Sequence, residues 1–137
     1  VKSLRPIIDA ASSEHEKYMT DKIIEGALIV YDYPKEIKSF YMKENADGKT
    51  VQAMDLLVPN IGELVGGSMR IDDFEELNAK MEAKQISIPW YLDLRRFGSV
   101  PHGGFGLGFE RLIMLLTGIY NIRDVIPYPR YPRHCDM

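Results

Sequence analysis

A glycine-rich run that leads into a helix is the first place where this sequence could do chemistry. Gly104, Gly106 and Gly108 alternate, so on a strand they fall on one face and leave a flat strip of backbone. Arg111 follows within the first helical turn, where its guanidinium could stack on a planar ring or hold a phosphate. The pattern could make a nucleotide platform, and close packing of a helix on a sheet, with a surface arginine, would explain the same spacing equally well. It is neither a P-loop nor a dinucleotide-binding fingerprint.

Two carboxylates form a second candidate site. Asp55 and Glu63 fall on predicted strands on either side of a break at Pro59. If these strands are adjacent, the two side chains could hold a Mg2+ ion that bridges phosphate oxygens. The alternative is that both are ordinary acids near strand ends.

Arg70 and His102 are candidates for binding a small polar substrate. Arg70 ends a strand and precedes an acidic helix start, so its forked donor could bind a carboxylate or an amide oxygen. A salt bridge to Asp72 or Asp73 is the simpler alternative. His102 lies beside the glycine run and could contact a substrate or only bond within its loop. No two of the three histidines have metal-ligand spacing, which argues against a zinc site.

Composition limits the function classes. A chain of 137 residues with a net charge of -3 and 45% hydrophobic residues is the size of one domain and is not a binder that grips RNA by bulk charge. The single cysteine, Cys135, cannot form a disulfide within the chain, and no run is long enough to span a bilayer. Because the chain opens on Val1, we expect it to be part of a longer protein.

Short apolar runs separated by turn residues must position these candidates. Strands are predicted over 27–31, 40–43, 50–58, 63–70 and 104–107, and helices over 12–26, 71–85, 87–98 and 108–117. The strands at 40–43 and 50–58 should form a hairpin around a turn at 45–48. The expected fold is therefore α+β, a mostly antiparallel sheet flanked by helices.

The segment from Pro101 to Arg111 resembles motif 3 of the class II aminoacyl-tRNA synthetases, in their aspartyl and asparaginyl subgroup. The segments 33–42, 53–70 and 121–125 agree with this family in order and spacing. Over roughly residues 30 to 133 the chain is most similar to the asparaginyl members. The resemblance implies that the chain is the C-terminal portion of a class II catalytic domain.

The resemblance also assigns a role to each candidate residue. Arg111 and Glu63 would be catalytic. ATP would be bound by Glu63, Gly106, Gly108, Phe109, Glu110 and Arg111. The amino acid would be bound by Arg70 and His102, and the metal by Glu63 and Asp55.

The reaction implied by the resemblance is the attachment of asparagine to tRNA(Asn), through an asparaginyl-adenylate formed from ATP with Mg2+. Such chemistry depends on positioning and charge stabilisation more than on a dedicated acid or base. The family resemblance further implies a homodimer in the full-length enzyme, with no membrane association, in the cytoplasm.

Departures from the family pattern leave alternatives open. Motif 1, motif 2 and the anticodon-binding domain have no counterpart in residues 1–137, so the chain alone is expected to have negligible synthetase activity. Met69 stands where many relatives carry glutamine, which bears on subtype. The alternatives are an aspartyl-tRNA synthetase, a paralogue that makes asparagine without tRNA, and a non-catalytic synthetase-like module.

Overall fold

The computed structural model describes residues 2–4 and 13–134. In this part of the chain, five strands lie side by side in sequence order. They are β1 (Lys2–Leu4), β2 (Leu28–Pro34), β3 (Thr50–Val58), β4 (Gly62–Met69) and β5 (Gly103–Leu107). Strands β2 to β5 pair antiparallel, and β1 pairs parallel with β2. The predicted α+β class with a mostly antiparallel sheet is confirmed.

Helices flank this sheet and begin and end at residues suited to the task. They are α1 (Ser13–Tyr18), which continues as a π-helical segment (Met19–Ile24), α2 (Phe74–Ala83), α3 (Pro89–Arg96) and α4 (Phe109–Thr117), with 3-10 turns at Lys35–Ile37 and Ile122–Val125. The Asp73 carboxylate accepts a hydrogen bond from the Glu76 amide at 2.8 Å and caps α2. Pro89 opens α3, and Gly118, at φ 70°, ends α4.

Two apolar clusters hold the sheet and the helices together. The first lies on one face of β2 and β3, with Met19 and Met42 packed against it; its buried members are Leu28, Val30, Tyr33, Val51, Ala53 and Leu57. The second joins α2 and α3 to the end of β4 and is built on Ile71, Leu77 and Met81. Because Ile71 is fully buried, it anchors the backbone next to Arg70.

The predicted strand at 40–43 is wrong. This segment makes only isolated bridges, Met42 with Arg70 and Glu44 with Val51. Its backbone makes hydrogen bonds with both β4 and β3. The Lys43 amide donates to the Met69 carbonyl, and the Lys43 carbonyl accepts from the Gln52 amide. The segment lies between the end of β4 and the start of β3 and makes only these few contacts with each, which is too few for a regular strand. The turn at 45–48 is confirmed.

The helix predicted over 71–85 is shorter at its start, since the Ile71 amide donates to the Tyr41 carbonyl and Asp73 is the cap. The first predicted helix ends at Glu25, at φ 51°, and not at Gly26. The Cys135 thiol lies outside the described residues. No helix in the described ranges is long and apolar enough to cross a membrane.

Candidate active site

Glycines of two neighbouring strands form an open strip on one face of the sheet. Gly66 on β4 pairs with Gly106 on β5, and Ser68 pairs with Gly104. Residues directly opposite each other in an antiparallel pair point to the same face. A Cβ atom added to Gly106 would meet no atom within 4 Å. The backbone there is thus a flat, uncovered surface of the kind on which a planar ring can lie.

The two predicted arginines bracket this strip. A Cβ atom at Gly104 would lie 2.8 Å from Nη2 of Arg70, and one at Gly108 would lie 3.4 Å from the Cβ and Cδ atoms of Arg111. The Arg111 guanidinium also donates to the backbone carbonyl of Glu63. The open surface at Gly106 therefore lies between the Arg70 guanidinium and the Arg111 side chain.

Both predicted carboxylates converge above Gly66. A Cβ atom at this position would lie 2.5 Å from Oε1 of Glu63 and 3.2 Å from Oδ1 of Asp55. Only a glycine leaves room for the two acids to approach each other here. Asp55 pairs with Gly66 across the strands, so it points to the same face as the strip.

A β-bulge brings Glu63 to that face. Leu56 pairs with Val65, but Leu57 pairs with Glu63, so Leu64 is an extra residue in β4. An extra residue shifts the alternation of the strand by one position. In a regular strand Glu63 would point to the opposite face from Gly66. The sequence pattern placed both acids on adjacent strands but gave no signal for this bulge.

Lys38 is a site residue that the sequence patterns did not single out. Its Nζ atom lies 2.6 Å from Oδ2 of Asp55 and 3.7 Å from the ring centroid of Tyr33. The Tyr33 hydroxyl donates to Oε1 of Glu16 at 3.4 Å. No local spacing could reveal this contact, because Lys38 and Asp55 come from different segments of the chain. Lys38 balances the charge of Asp55 and leaves Oδ1 directed towards Gly66.

The crowding of acids around Lys38 changes the titration of Tyr33 and Glu16. Burial and the neighbouring Asp55 raise the pKa of Tyr33 far above its ordinary value. Burial, followed by the charge of Asp55, also raises the pKa of Glu16. These directions are those expected where negative groups share a poorly solvated region.

The donor set fits a hard cation that is shared with a ligand. Mg2+ takes oxygen ligands and is commonly held by one or two carboxylates together with phosphate oxygens and water. Asp55 and Glu63 supply two carboxylates, and no group of three or more His, Cys, Asp or Glu side chains in the described ranges could form a metal cage. The pair therefore fits a Mg2+ ion that also binds phosphates.

Arg70 faces the glycine strip and not the acids that follow it. Its Nη1 atom donates to the Ser68 hydroxyl at 2.9 Å, and its guanidinium carbon lies 4.7 Å from the ring centroid of Tyr41. Asp72 is bound by Lys43 at 2.5 Å, which lowers the pKa of Asp72, and Asp73 caps α2. The two acids that could have neutralised Arg70 thus serve other partners.

His102 lies next to Arg70, but its ring bonds within the chain. The His102 carbonyl accepts from the Arg70 amide at 2.9 Å. Nδ1 lies 2.8 Å from the Val100 carbonyl, and Nε2 lies 3.4 Å from Nη2 of Arg95. A carbonyl partner requires the proton on Nδ1, which leaves Nε2 to accept from Arg95. A direct contact between His102 and the amino acid stays a prediction.

Phe109 and Glu110 begin α4, next to Arg111. Phe109 is 62% exposed, and Glu110 is half-buried. Their predicted roles in ATP binding also stay predictions.

Comparison with known proteins shows which family the chain belongs to. Residues 6–132 match the family described as tRNA synthetases class II (D, K and N). The asparagine--tRNA ligase of Geotalea uraniireducens is 58% identical over 128 residues, which cover 91% of this chain and 28% of that protein. The chain thus spans little more than a quarter of the length of this relative.

Solved structures show the same relationship. Asparaginyl-tRNA synthetase from Entamoeba histolytica, in complex with asparaginyl-adenylate, is 40% identical with a TM-score of 0.87, over 93% of this chain and 30% of that one. The aspartyl enzyme of the same organism is 31% identical with a TM-score of 0.79, over 91% of this chain and 26% of that one. Because the family match extends over nearly all of the sequence, the chain belongs to the class II tRNA synthetases of the D, K and N group.

Proposed function

We propose that this chain supplies the adenine-binding and metal-binding half of an ATP-dependent site that activates asparagine for transfer to tRNA(Asn), within a longer enzyme. The observation that carries the proposal is the convergence of four charged groups on one glycine-lined face. Arg70 and Arg111 bracket the open surface at Gly106, while Asp55 and Glu63 meet above Gly66.

The adenine of ATP fits the open surface at Gly106. A planar base can lie there because no side chain covers the backbone. Arg111 adjoins this surface and brings a fixed positive charge that can stack on the base or bind a phosphate oxygen. The Arg111 side chain packs next to Gly108, where an added Cβ atom would make contacts of 3.4 Å.

Asp55 and Glu63 would bind a Mg2+ ion next to the phosphates. When bound, Mg2+ would neutralise the phosphate oxygens and favour attack at phosphorus. The Lys38 ammonium holds one oxygen of Asp55 and leaves the other directed to the shared position above Gly66. Asp55 and Glu63 would thereby present a defined pair of oxygens to the ion.

Arg70 would bind the side-chain oxygen of the amino acid. It lies on the same face as the adenine surface, over the Gly104 end of the strip. This order along the strip matches the order of an aminoacyl-adenylate, with the base at one end and the amino-acid side chain at the other. The amino acid's carboxylate would attack the α-phosphate and displace pyrophosphate, and the terminal ribose hydroxyl of tRNA(Asn) would then take the aminoacyl group and release AMP.

We propose asparagine rather than aspartate as the substrate because of the relatives of this chain. The Geotalea relative is named for asparagine, and the asparaginyl enzyme of Entamoeba is more similar to this chain than the aspartyl enzyme is. A guanidinium donates equally to an amide oxygen or to a carboxylate, so Arg70 alone does not select between them. A homodimeric full-length enzyme and a cytoplasmic location are further parts of this proposal, supported by family membership.

ATP–pyrophosphate exchange by the full-length protein tests the proposal. We expect exchange with asparagine and little with aspartate, and negligible exchange by residues 1–137 alone. Preference for aspartate would point to the aspartyl alternative, and release of asparagine from aspartate without tRNA would point to the paralogue. If neither amino acid supports exchange, the chain is a non-catalytic module and the proposal fails.

A further inference from the structure

A buried arginine connects helix α3 to the part of the site that carries Arg70. Arg95 is 6% exposed, and its guanidinium lies 4.2 Å from the ring centroid of Tyr91. Its hydrogen-bond partners in the described ranges are carbonyl oxygens, a hydroxyl and a histidine ring, and not a carboxylate. A buried charge is costly unless its donors are satisfied in fixed geometry. The number and direction of these hydrogen bonds indicate that Arg95 fixes the position of the groups that it binds.

The bonds of Arg95 close a ring around the backbone of Arg70. Nε donates to the Ile71 carbonyl at 3.0 Å, and Nη2 lies 3.4 Å from Nε2 of His102. The His102 carbonyl in turn accepts from the Arg70 amide at 2.9 Å. Arg70 is therefore held on its N-terminal side by His102 and on its C-terminal side through Ile71, and Arg95 binds both of these neighbours.

Only an arginine can make this set of contacts. The planar guanidinium presents five donors on three nitrogens in fixed directions, whereas the three donors of a lysine lie on one nitrogen and cannot reach acceptors spread around a guanidinium. Arg96, the next residue, provides a natural contrast. It pairs with Asp93 at 3.1 Å on the surface, with its own side chain 57% exposed.

We propose that Arg95 is a positioning residue that fixes Arg70 towards the amino-acid substrate, with His102 as part of this support. The inference rests on the proposed function, in which Arg70 binds the amino acid. It gives α3 a role in the site although no residue of that helix lies on the glycine strip. It also explains why both ring nitrogens of His102 are engaged within the chain.

Steady-state exchange kinetics of the full-length enzyme test this role. Arg95→Met should raise the KM for asparagine about 10- to 100-fold, because small misplacement of a binding group costs this much. The KM for ATP should change by less than about twofold, since Arg70 lies over Gly104 and the adenine surface at Gly106 is two residues further along β5. Arg96→Met is the matched control and should leave both constants unchanged.

A double-variant cycle separates positioning from general damage. If Arg95 acts through Arg70, adding Arg95→Met to Arg70→Ala should change the KM for asparagine by less than about twofold beyond Arg70→Ala alone. Arg95→Lys keeps the charge and should cause a smaller rise than Arg95→Met. If Arg95→Met does not fold, as judged by circular dichroism, Arg95→Lys replaces it in the cycle.

The outcomes distinguish the two levels of the proposal. A normal KM for asparagine in Arg70→Ala would remove the role of Arg70 and with it the role of Arg95. If Arg70→Ala raises the KM for asparagine, either of two results would overturn only the positioning role of Arg95. One is that the effects of Arg95→Met and Arg70→Ala on this KM are additive. The other is that the Arg95 variants raise the KM for ATP as much as the KM for asparagine.

Discussion

The two ends of the glycine strip are built in different ways. The Arg70 end is anchored by the fully buried Ile71, the buried Arg95 and backbone bonds from two separate segments. The Arg111 end rests on the short helix α4, whose surface carries exposed apolar residues such as Leu116, 76% exposed. Within the described ranges, the Arg70 end, proposed to bind the amino acid, is thus packed into the chain, whereas the Arg111 end, proposed to bind the nucleotide, lies near its surface.

This difference suggests how specificity and chemistry are divided. A rigid, over-determined backbone suits discrimination between similar amino acids, because a small shift of one donor alters the fit. The nucleotide end depends on a flat backbone and on the charge of Arg111, which tolerate more local movement. Variants at the two ends should therefore affect different kinetic constants.

Removal of the Arg111 guanidinium should have the largest effect. For Arg111→Ala in the full-length enzyme we expect ATP–pyrophosphate exchange to fall about 100- to 1,000-fold, as when a preorganised charge that stabilises a transition state is lost. The KM for asparagine should stay within about twofold of the wild-type value. A strong rise in that constant would show that the two ends are not independent.

A side chain at Gly66 should disrupt the place where the carboxylates meet. In Gly66→Ala the new Cβ atom would lie 2.5 Å from Oε1 of Glu63, so the acids must separate. We expect the Mg2+ concentration for half-maximal exchange to rise about tenfold, which is typical when ligand orientation is lost. Gly62→Ala is not a suitable control because Gly62 has φ 86°. The control is Gly26→Ala, because Gly26 lies outside the strip and an added Cβ atom there would make only a 3.8 Å contact. This variant should leave the Mg2+ dependence unchanged.

Two glycines on the same strand offer the sharpest comparison of the ends. Gly104→Ala places a Cβ atom 2.8 Å from Nη2 of Arg70, whereas Gly106→Ala meets no atom within 4 Å. We expect Gly104→Ala to raise the KM for asparagine, and Gly106→Ala to raise the KM for ATP by covering the open surface, each by about tenfold. The same constant rising in both variants would contradict the division between the ends.

The sequence predicted the nucleotide end better than the amino-acid end. The alternation of glycines and the position of Arg111 are local patterns, and β5 and α4 formed within one residue of the predicted bounds. The contacts of Arg70 depend on Tyr41, Arg95 and His102, which are brought together only by tertiary packing. The bulge at Leu64 and the Lys38–Asp55 pair were missed for the same reason, since neither has a short-range signature.

The smallest expected effect concerns Glu16, which lies near Asp55 and Glu63. Burial and the charge of Asp55 raise the pKa of Glu16 above its ordinary value of 4.5, so the folded state holds a proton that the unfolded state releases. By linkage, the free energy of unfolding should fall as the pH rises from about 4.5 through the raised pKa. Glu16→Gln should remove this contribution and flatten the stability profile in that window, measured by chemical denaturation of the full-length protein. Asp93→Asn, on the surface of α3, is the control. A slope unchanged in Glu16→Gln would mean that the carboxyl group keeps its ordinary titration and that the acids around Lys38 are better solvated than their packing indicates.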